Sequence, residues 1–252
     1  MNVRDLGGIS VQAGTLKHNL FLRGGADYTF NQEDWALVHA CSNLTLSLDL
    51  RTAWEREERP PRALSGVEMR HIPLYDKDIV GVEYTRSDVD VGDDPYILQL
   101  DLFDYYQTSL NPLTVGQMAK ALNAAFENAL AGNATYIHCT NGKDRSGMVG
   151  ILLLTILGAA RADILADYQT TNAYIESHCR HTAERCLQYG LSEEQAQRTY
   201  RMHFPREEYF DTFLGEIDKR YGSMEQFIRN QLNITEEYRC RIIDACVDTA
   251  YP

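Results

Sequence analysis

A cysteine and an arginine separated by five residues stand in the segment HCTNGKDRSG, positions 138–147. A thiolate is a strong nucleophile and a good leaving group. A guanidinium offers a planar fork that matches two phosphoryl oxygens and the charge of a phosphoryl-transfer transition state. Cys139 and Arg145 are therefore predicted to catalyse phosphoryl transfer through a phosphocysteine intermediate. Ser146 can donate a hydrogen bond to the sulfur as it leaves in the second step.

The residues around this pair predict a cradle for an anion. Residues 134–138 have the pattern of a short strand, and residues 146–157 that of an apolar helix that ends at Gly158. A tight loop between a strand and a helix turns successive backbone N–H groups inward, and the positive end of the helix adds to their field. Such a nest favours the thiolate form of a cysteine. We therefore expect inorganic phosphate or another tetrahedral anion to bind in this loop.

Four residues between the cysteine and the arginine are predicted to bind substrate: Thr140, Asn141, Gly142 and Lys143. Gly142 is expected to relieve the backbone strain of the turn, and Gly147 to let the following helix pack closely. Lys143 is expected to point toward the mouth of the cleft, where a second phosphate could lie.

Two aspartates are candidates for proton transfer. Asp144 lies inside the loop; beside Arg145 and Lys143 its carboxylate suits a base for the second step better than a resting acid. A purely architectural role for Asp144 is the alternative. Asp76, in the segment PLYD at 73–76, is the second candidate and a candidate substrate contact.

A second cysteine–arginine pair has the same spacing. Cys179 and Arg185 enclose no glycine, and Glu184 places a carboxylate where an anion should bind. We interpret this second match as a chance occurrence.

The pattern of elements predicts one α/β domain over residues 1–252 with a helical C-terminal half. Leucines alternate with polar residues from 44 to 50, which is typical of a half-buried strand, and a second strand is predicted over 67–72. Thr114 and Gln117 form a capping-box pattern before an amphipathic helix. A helix is also predicted over 163–178, and residues 181–204, polar and weakly amphipathic, are predicted to form a helical lid.

Composition limits the classes of partner. The chain has 252 residues and a net charge of −12, which argues against nucleic acid as the main partner. Its six cysteines are widely spaced without a CxxC pair, as expected for free thiols. We predict no metal site and no cofactor. No apolar stretch approaches the roughly 20 residues of a membrane span. No signal peptide is visible in the sequence. We expect a cytoplasmic or secreted location.

The loop resembles the HCxxGKDR(S/T)G motif of the atypical bacterial protein-tyrosine and lipid phosphatases, which belong to the Cys-phosphatase superfamily. Similarity extends beyond the loop, to further segments that resemble the signatures of that family: NVRDLGG at 2–8, FLRGG at 21–25, DLRT at 49–52 with Glu55 and Glu58-Arg59-Pro60, ILADY at 164–168 with Asn172, and YGS at 221–223. The similarity covers nearly the whole chain.

The resemblance implies the protein-tyrosine-phosphatase-like fold, in which helices flank a central sheet and a helical lid covers the active site. It implies that Cys139 is the nucleophile and Arg145 the phosphate ligand, with Lys143 and Asp144 as the distinctive loop pair. Implied substrates are phosphotyrosine, often phosphoserine or phosphothreonine, and often phosphoinositides, without a metal.

Three other functions compete with this hypothesis. An inositol phosphate or phosphoinositide phosphatase with little protein activity is suggested by the second cation, Lys143. A catalytically dead phosphate-binding module would be favoured if Arg145 pointed away into a structural ion pair. A sulfur-transfer or arsenate-reducing protein is disfavoured, because no resolving cysteine lies near Cys139 in the sequence.

Overall fold

A central five-stranded sheet organises the protein. The structure is a computed structural model that describes residues 2–75 and 102–249. The strands of this sheet lie in the order β1–β4–β7–β5–β6, and their bounds are β1 Arg4–Asp5, β4 Phe21–Gly24, β5 Leu44–Asp49, β6 Glu68–His71 and β7 Ala134–His138. The four strands β4 to β7 are mutually parallel, and β1 pairs antiparallel with β4.

The central strand β7 is buried along its whole length and pairs with a parallel strand on each side. Its last residue, His138, lies in register with Gly24 of β4 and Asp49 of β5. The carboxyl ends of three neighbouring strands therefore meet at one edge of the sheet, which is where ligands bind in open parallel sheets. The chain continues from this edge directly into Cys139.

Helices cover both faces of the central sheet. Their bounds are α1 Gln32–Ala40, α2 Ala53–Glu58, α3 Leu102–Thr108, α4 Pro112–Leu130, α5 Arg145–Leu157, α6 Arg161–Thr170, α7 Asn172–Gln188, α8 Glu193–Met202, α9 Glu207–Tyr221, α10 Met224–Asn230 and α11 Glu236–Cys246. A small second sheet, in the order β2–β3–β8, joins β2 Ser10–Val11, β3 Gly14–Leu16 and β8 Val247–Thr249. It ties the C-terminal end of the described chain to its N-terminal region.

Successive residues of the strands belong to two separate hydrophobic cores, as the alternation of a strand requires. Phe21 and Ile137 face the larger core, which contains the buried sides of α4 and α5. Leu22 and Tyr136 face the smaller core, which contains Val38 of α1. The larger core fixes α5 against the sheet, so the loop that joins β7 to α5 is anchored at both ends.

Most of the predicted elements are confirmed, including the strand from Leu44, the strand before the loop and the α/β architecture with flanking helices. The capping box at Thr114 is wrong. The helix begins three residues earlier, where the Asn111 side chain accepts from the Leu113 and Thr114 amides, and Thr114 instead donates to the Leu74 carbonyl.

The helix predicted over 163–178 is two helices, because the chain breaks between α6 and α7 at Thr171. The predicted lid segment, 181–204, contains the second half of α7 and all of α8. Among the described residues, no helix is both long and apolar enough to cross a membrane.

Candidate active site

The loop from Cys139 to Arg145, here termed the Cys139 loop, follows β7 and leads into α5, one residue earlier than predicted. Cys139 is almost completely buried, with 3 % of its surface exposed. Gly142 has a φ of 66°, in the left-handed region that favours glycine. A Cβ at this position would lie 2.4 Å from the Gly24 carbonyl carbon and 2.6 Å from the Gly25 nitrogen. Gly142 therefore meets two requirements, a positive φ and a close backbone approach.

The carbonyl groups of the loop are bound to donors outside it. Thr140 O accepts from the Ala26 amide at 3.0 Å, and Asn141 O accepts from the Asn2 side chain. The two following carbonyls, of Gly142 and Lys143, accept from Arg23 Nη2 at 3.4 and 3.2 Å. Within residues 2–75 and 102–249, no acceptor is found for the amides of residues 140–143. With the carbonyls turned outward, these amides are available for an anion, as a nest requires.

Arg145 forms a bidentate ion pair with Glu55, at 2.5 Å from Nη1 to Oε2 and 2.7 Å from Nη2 to Oε1. Its Nη2 also donates to Thr140 Oγ1 at 3.1 Å, and the Thr140 hydroxyl donates to the Glu55 carboxylate. Glu55 therefore connects the first and last parts of the Cys139 loop. Residue type and spacing do not reveal this role, because Thr52-x-x-Glu55 is also a complete capping box that accounts for a glutamate at this position.

Burial disfavours the charged form of Glu55, but Arg145 and the hydrogen bonds from Thr140 and Thr52 outweigh it and lower the pKa of Glu55 to about 2. Glu55 likewise raises the pKa of Arg145 although burial opposes the charge. The pair contributes stability that is present above the ordinary carboxyl pKa and is lost only as the pH falls toward 2.

This ion pair bears on the hypothesis of a dead module, which an Arg145 turned away from the loop would have favoured. The contact with Thr140 shows that the guanidinium stays at the loop. Three hydrogen bonds to Glu55 and Thr140 leave the Nε proton and one Nη1 proton without a partner among the described residues. Two donors thus remain for an anion.

The sulfur of Cys139 lies 3.6 Å from Ser146 Oγ, within hydrogen-bond distance for sulfur. Ser146 is fully buried in the first turn of α5. The structure therefore brings together the predicted nucleophile and the predicted hydroxyl donor to its sulfur.

Lys143 does not lie at an open cleft mouth, contrary to our expectation. Only 4 % of its surface is exposed, and Nζ donates to the His203 carbonyl at 2.8 Å. A second contact joins the same loop to α7: the Asn141 side-chain nitrogen Nδ2 lies 3.4 Å from His178 Nε2. Residue His203, at the end of the segment 181–204, thus lies against the Cys139 loop and covers the lysine. Asp76 lies outside the described residues.

Arg23 supports the loop from below. This arginine is 1 % exposed; it donates from Nε to Ser146 O at 2.9 Å and from Nη1 to Asp167 at 2.6 Å. Asp167 also pairs with Arg4 at 2.5 Å. Arg23 fits because Gly147 lacks a side chain: a Cβ there would lie 3.0 Å from Arg23 Nη2.

The buried ion pairs near the loop form two groups, and Arg23 with its partners is the first of them. Asp49 and Arg51 form a bidentate pair at 2.9 and 2.8 Å beside His138, separate from the Arg23 group. Asp5 belongs to neither group, since it binds the Gly7 amide and the His18 ring instead. Asp167 is the buried counter-charge of the first group, since it pairs with both Arg4 and Arg23.

His138 is buried, and burial lowers its pKa, so the imidazole is neutral at physiological pH. It makes a backbone hydrogen bond with Cys139 and stacks on Tyr136, with ring centroids 5.0 Å apart. These contacts suit a role of His138 in fixing the loop rather than in transferring protons.

The second cysteine–arginine pair lies entirely within α7. Helical amides bind carbonyls of the same helix and cannot form a nest. Burial raises the pKa of Cys179 to about 11, which favours an unreactive thiol.

Replacing Gly142 by alanine is expected to destabilise the protein by about 3 kcal/mol or more, because the new Cβ adds a backbone clash to the cost of a positive φ. The matched control is Gly132→Ala. Gly132 has a φ of 78° and open space around the position of a Cβ, so only the conformational cost of roughly 1–2 kcal/mol applies. Denaturant unfolding of both variants measures the difference, and equal losses would contradict the close approach at Gly142.

No group of three or more histidine, cysteine or acidic side chains within the described part of the chain is arranged to hold a metal ion.

The chain is similar in sequence to known proteins. The sequence model of the tyrosine phosphatase family matches residues 1–248, and the chain therefore belongs to that family. Over 115 residues it is 32% identical to a protein of Cupriavidus necator named "Putative tyrosine-protein phosphatase", a match that covers 46% of this chain and 41% of the relative. Over 52 residues it is 38% identical to a "Tyrosine-protein phosphatase" of Nostoc commune, covering 21% of this chain and 18% of the relative. The chain thus spans less than half the length of each of these relatives.

Proposed function

We propose that this protein is a cysteine-dependent phosphatase that hydrolyses phosphomonoesters through a phosphocysteine intermediate. The observation that carries the proposal is the Cys139 loop itself. A buried cysteine, inward-facing amides and a guanidinium held at the loop surround one site, and a hydroxyl lies 3.6 Å from the sulfur. An inert packing turn has no need of this combination.

In the first step the Cys139 thiolate attacks phosphorus, the bond to the leaving oxygen breaks, and that oxygen takes a proton from an acid or from solvent. The loop amides and Arg145 stabilise the negative charge on the equatorial oxygens. In the second step water attacks phosphorus and the sulfur leaves as a thiolate, accepting a hydrogen bond from Ser146. Asp144 and Asp76 remain the candidates for proton transfer.

We favour phosphorylated proteins over phosphoinositides as the substrate class. Phosphotyrosine is the first expected substrate, followed by phosphoserine and phosphothreonine. The argument for polyphosphorylated lipids depends on a free Lys143. Its ammonium contacts the His203 carbonyl and lies 3.2 Å from Asp144, so a second phosphate would have to displace these contacts. The dead-module alternative is disfavoured because both reactive side chains are held at one loop.

A direct comparison of turnover tests the proposal. Phosphotyrosine peptide, phosphoserine peptide and phosphoinositide vesicles are assayed at equal phosphate concentration, with the Cys139→Ser variant as the blank. The proposal is supported if the wild type releases phosphate from the peptides and the Cys139→Ser variant does not. Release from the lipid alone would favour the phosphoinositide function, and phosphate binding without any release would favour the dead module.

A chelator is expected to leave turnover unchanged, because amides and Arg145 replace the cations that other phosphoryl-transfer sites use. Vanadate and thiol alkylation are each expected to inhibit. Assays with EDTA, with vanadate and with iodoacetate measure these effects. Activity that depends strictly on added magnesium or zinc would contradict the mechanism.

A further inference from the structure

Different groups hold the two carboxylate oxygens of Asp144. Oδ1 accepts a hydrogen bond from the Tyr106 hydroxyl at 2.6 Å, and Oδ2 lies 3.2 Å from the Lys143 ammonium. Tyr106 is fully buried, whereas 23% of the Asp144 side chain is exposed. The carboxylate is therefore held from the interior of the protein while part of it stays open to solvent.

A second phenol fixes the direction of this hydrogen bond. The Tyr106 and Tyr168 hydroxyl oxygens are 2.7 Å apart. Since a phenol has one proton and Tyr106 gives its proton to Asp144, Tyr168 must be the donor to Tyr106. Burial raises the pKa of both phenols, so both keep their protons. The chain Tyr168–Tyr106–Asp144 thus runs in one direction and ends on the carboxylate.

Packing holds both phenols in place. The Tyr106 ring stacks on Tyr209 of α9 with centroids 5.6 Å apart, and the Tyr168 ring packs on Phe210 at 6.2 Å. A Cβ at Gly147 would lie 3.2 Å from the Tyr168 ring, so this ring fits closely against the start of α5. Side chains in such close-packed surroundings have little freedom to turn.

We propose that Tyr106 and Tyr168 are positioning residues that hold Asp144 as the carboxylate base for hydrolysis of the phosphocysteine. This inference rests on the proposed function. In the step concerned, a water oxygen bonds to phosphorus and gives a proton to Asp144, while the P–S bond breaks and its electron pair leaves with the Cys139 sulfur. A carboxylate has about four acceptor sites on its two oxygens, so the contacts with Tyr106 and Lys143 leave sites that can accept a proton from water.

A merely structural role for the two hydroxyls predicts a different result. Phenylalanine would fill the same space as tyrosine, so the substitution removes only the hydroxyl and its hydrogen bonds. If the hydroxyls only stabilise the core, their removal should lower thermal stability without slowing one chemical step more than the other.

The test is the Tyr106→Phe variant with p-nitrophenyl phosphate in stopped flow. This substrate has a good leaving group, so the first step needs little acid assistance. We expect an unchanged rate of the nitrophenolate burst and a steady-state rate lower by about 10-fold, part of the 10²–10⁴ that a general base contributes. Trapped phosphoenzyme should increase accordingly. Tyr168→Phe should change the same step in the same direction by a smaller factor, and the double variant should resemble Tyr106→Phe, because the two act as one chain.

Tyr221→Phe is the matched control, since it removes a partly buried phenol that donates to the Leu110 carbonyl at 2.8 Å. It should leave both rates unchanged. If Tyr106→Phe fails to fold, Tyr168→Phe provides the decisive burst measurement. A burst and a steady state that fall equally, or that both remain unchanged, would overturn the inference while leaving the phosphatase intact. An inactive wild type, or a Cys139→Ser variant that still turns over, would instead overturn the proposed function and this inference with it.

Discussion

Replacing Cys139 by serine is expected to reduce turnover by on the order of 10⁴-fold or more, because a hydroxyl is a far poorer nucleophile than a thiolate. The substitution is nearly isosteric at a site where only 3 % of the residue is exposed, so the fold and the binding of phosphate should persist. Steady-state kinetics with an aryl phosphate measure the loss, and calorimetric titration with phosphate or vanadate measures the retained binding.

Cys179→Ser is the control for this prediction. Cys179 is completely buried in α7, so the same substitution tests the general effect of replacing a buried thiol by a hydroxyl. Its turnover should match that of the wild type once any change in stability is taken into account. Survival of activity in Cys139→Ser together with its loss in Cys179→Ser would reverse the assignment of the nucleophile.

Arg145→Lys is expected to lower kcat by about 10²–10³-fold, the usual effect of removing one preorganised donor from a transition state. Lysine keeps the charge but loses the planar fork that pairs with Glu55 at 2.5 and 2.7 Å. The variant also loses the hydrogen bond that the guanidinium donates to Thr140 Oγ1. Steady-state kinetics at saturating substrate measure the change.

Two further variants separate the fork from the charge. Glu55→Gln keeps Arg145 but removes its partner's charge, so kcat should fall by less than in Arg145→Lys. Arg161→Lys alters a surface pair with Glu207 and Asp211 in which Arg161 is 50% exposed, and it should leave kcat unchanged. An unchanged kcat in Arg145→Lys would exclude a role for the fork in catalysis.

Local signals determine much of what the sequence predicted. The alternating leucines of β5, the short strand before Cys139 and the apolar run of α5 each contain their own periodicity, and the structure has all three elements. The Cys139 loop is likewise a contiguous motif. Its candidate nucleophile and phosphate ligand are predicted from residue type and spacing, and Gly142 from the turn that such a loop needs.

Element boundaries depended on weaker signals and were less well predicted. Thr114 and Gln117 match a capping box, but Asn111 followed by Pro112 is a stronger helix start. The buried hydroxyl of Thr114 instead donates a hydrogen bond to the Leu74 carbonyl. The break at Thr171 has no glycine or proline to mark it. It is seen only in the structure, where one helix ends at Thr170 and the next begins at Asn172.

The groups that support the loop are the part that only the tertiary structure decided. Glu55 lies 90 positions before Arg145 in sequence, and Arg23 lies 144 before Asp167. Their contacts exist because parallel strands bring His138, Gly24 and Asp49 to one edge of the sheet. By residue type, Tyr106 looks like an ordinary aromatic residue of the core. No signal in the neighbouring sequence shows that its hydroxyl reaches Asp144.

The sequence by itself thus predicts the chemistry that we propose for the candidate site, because a nucleophile, a nest and a cation can be encoded in ten consecutive residues, 138–147. It did not determine which side chains orient that chemistry. Lys143 is an example. Its charge is known from the residue type, but its burial under the His203 carbonyl follows from the packing of α7 and α8 against the loop. Orientation depends on contacts between segments far apart in sequence, and packing of the whole domain selects those contacts.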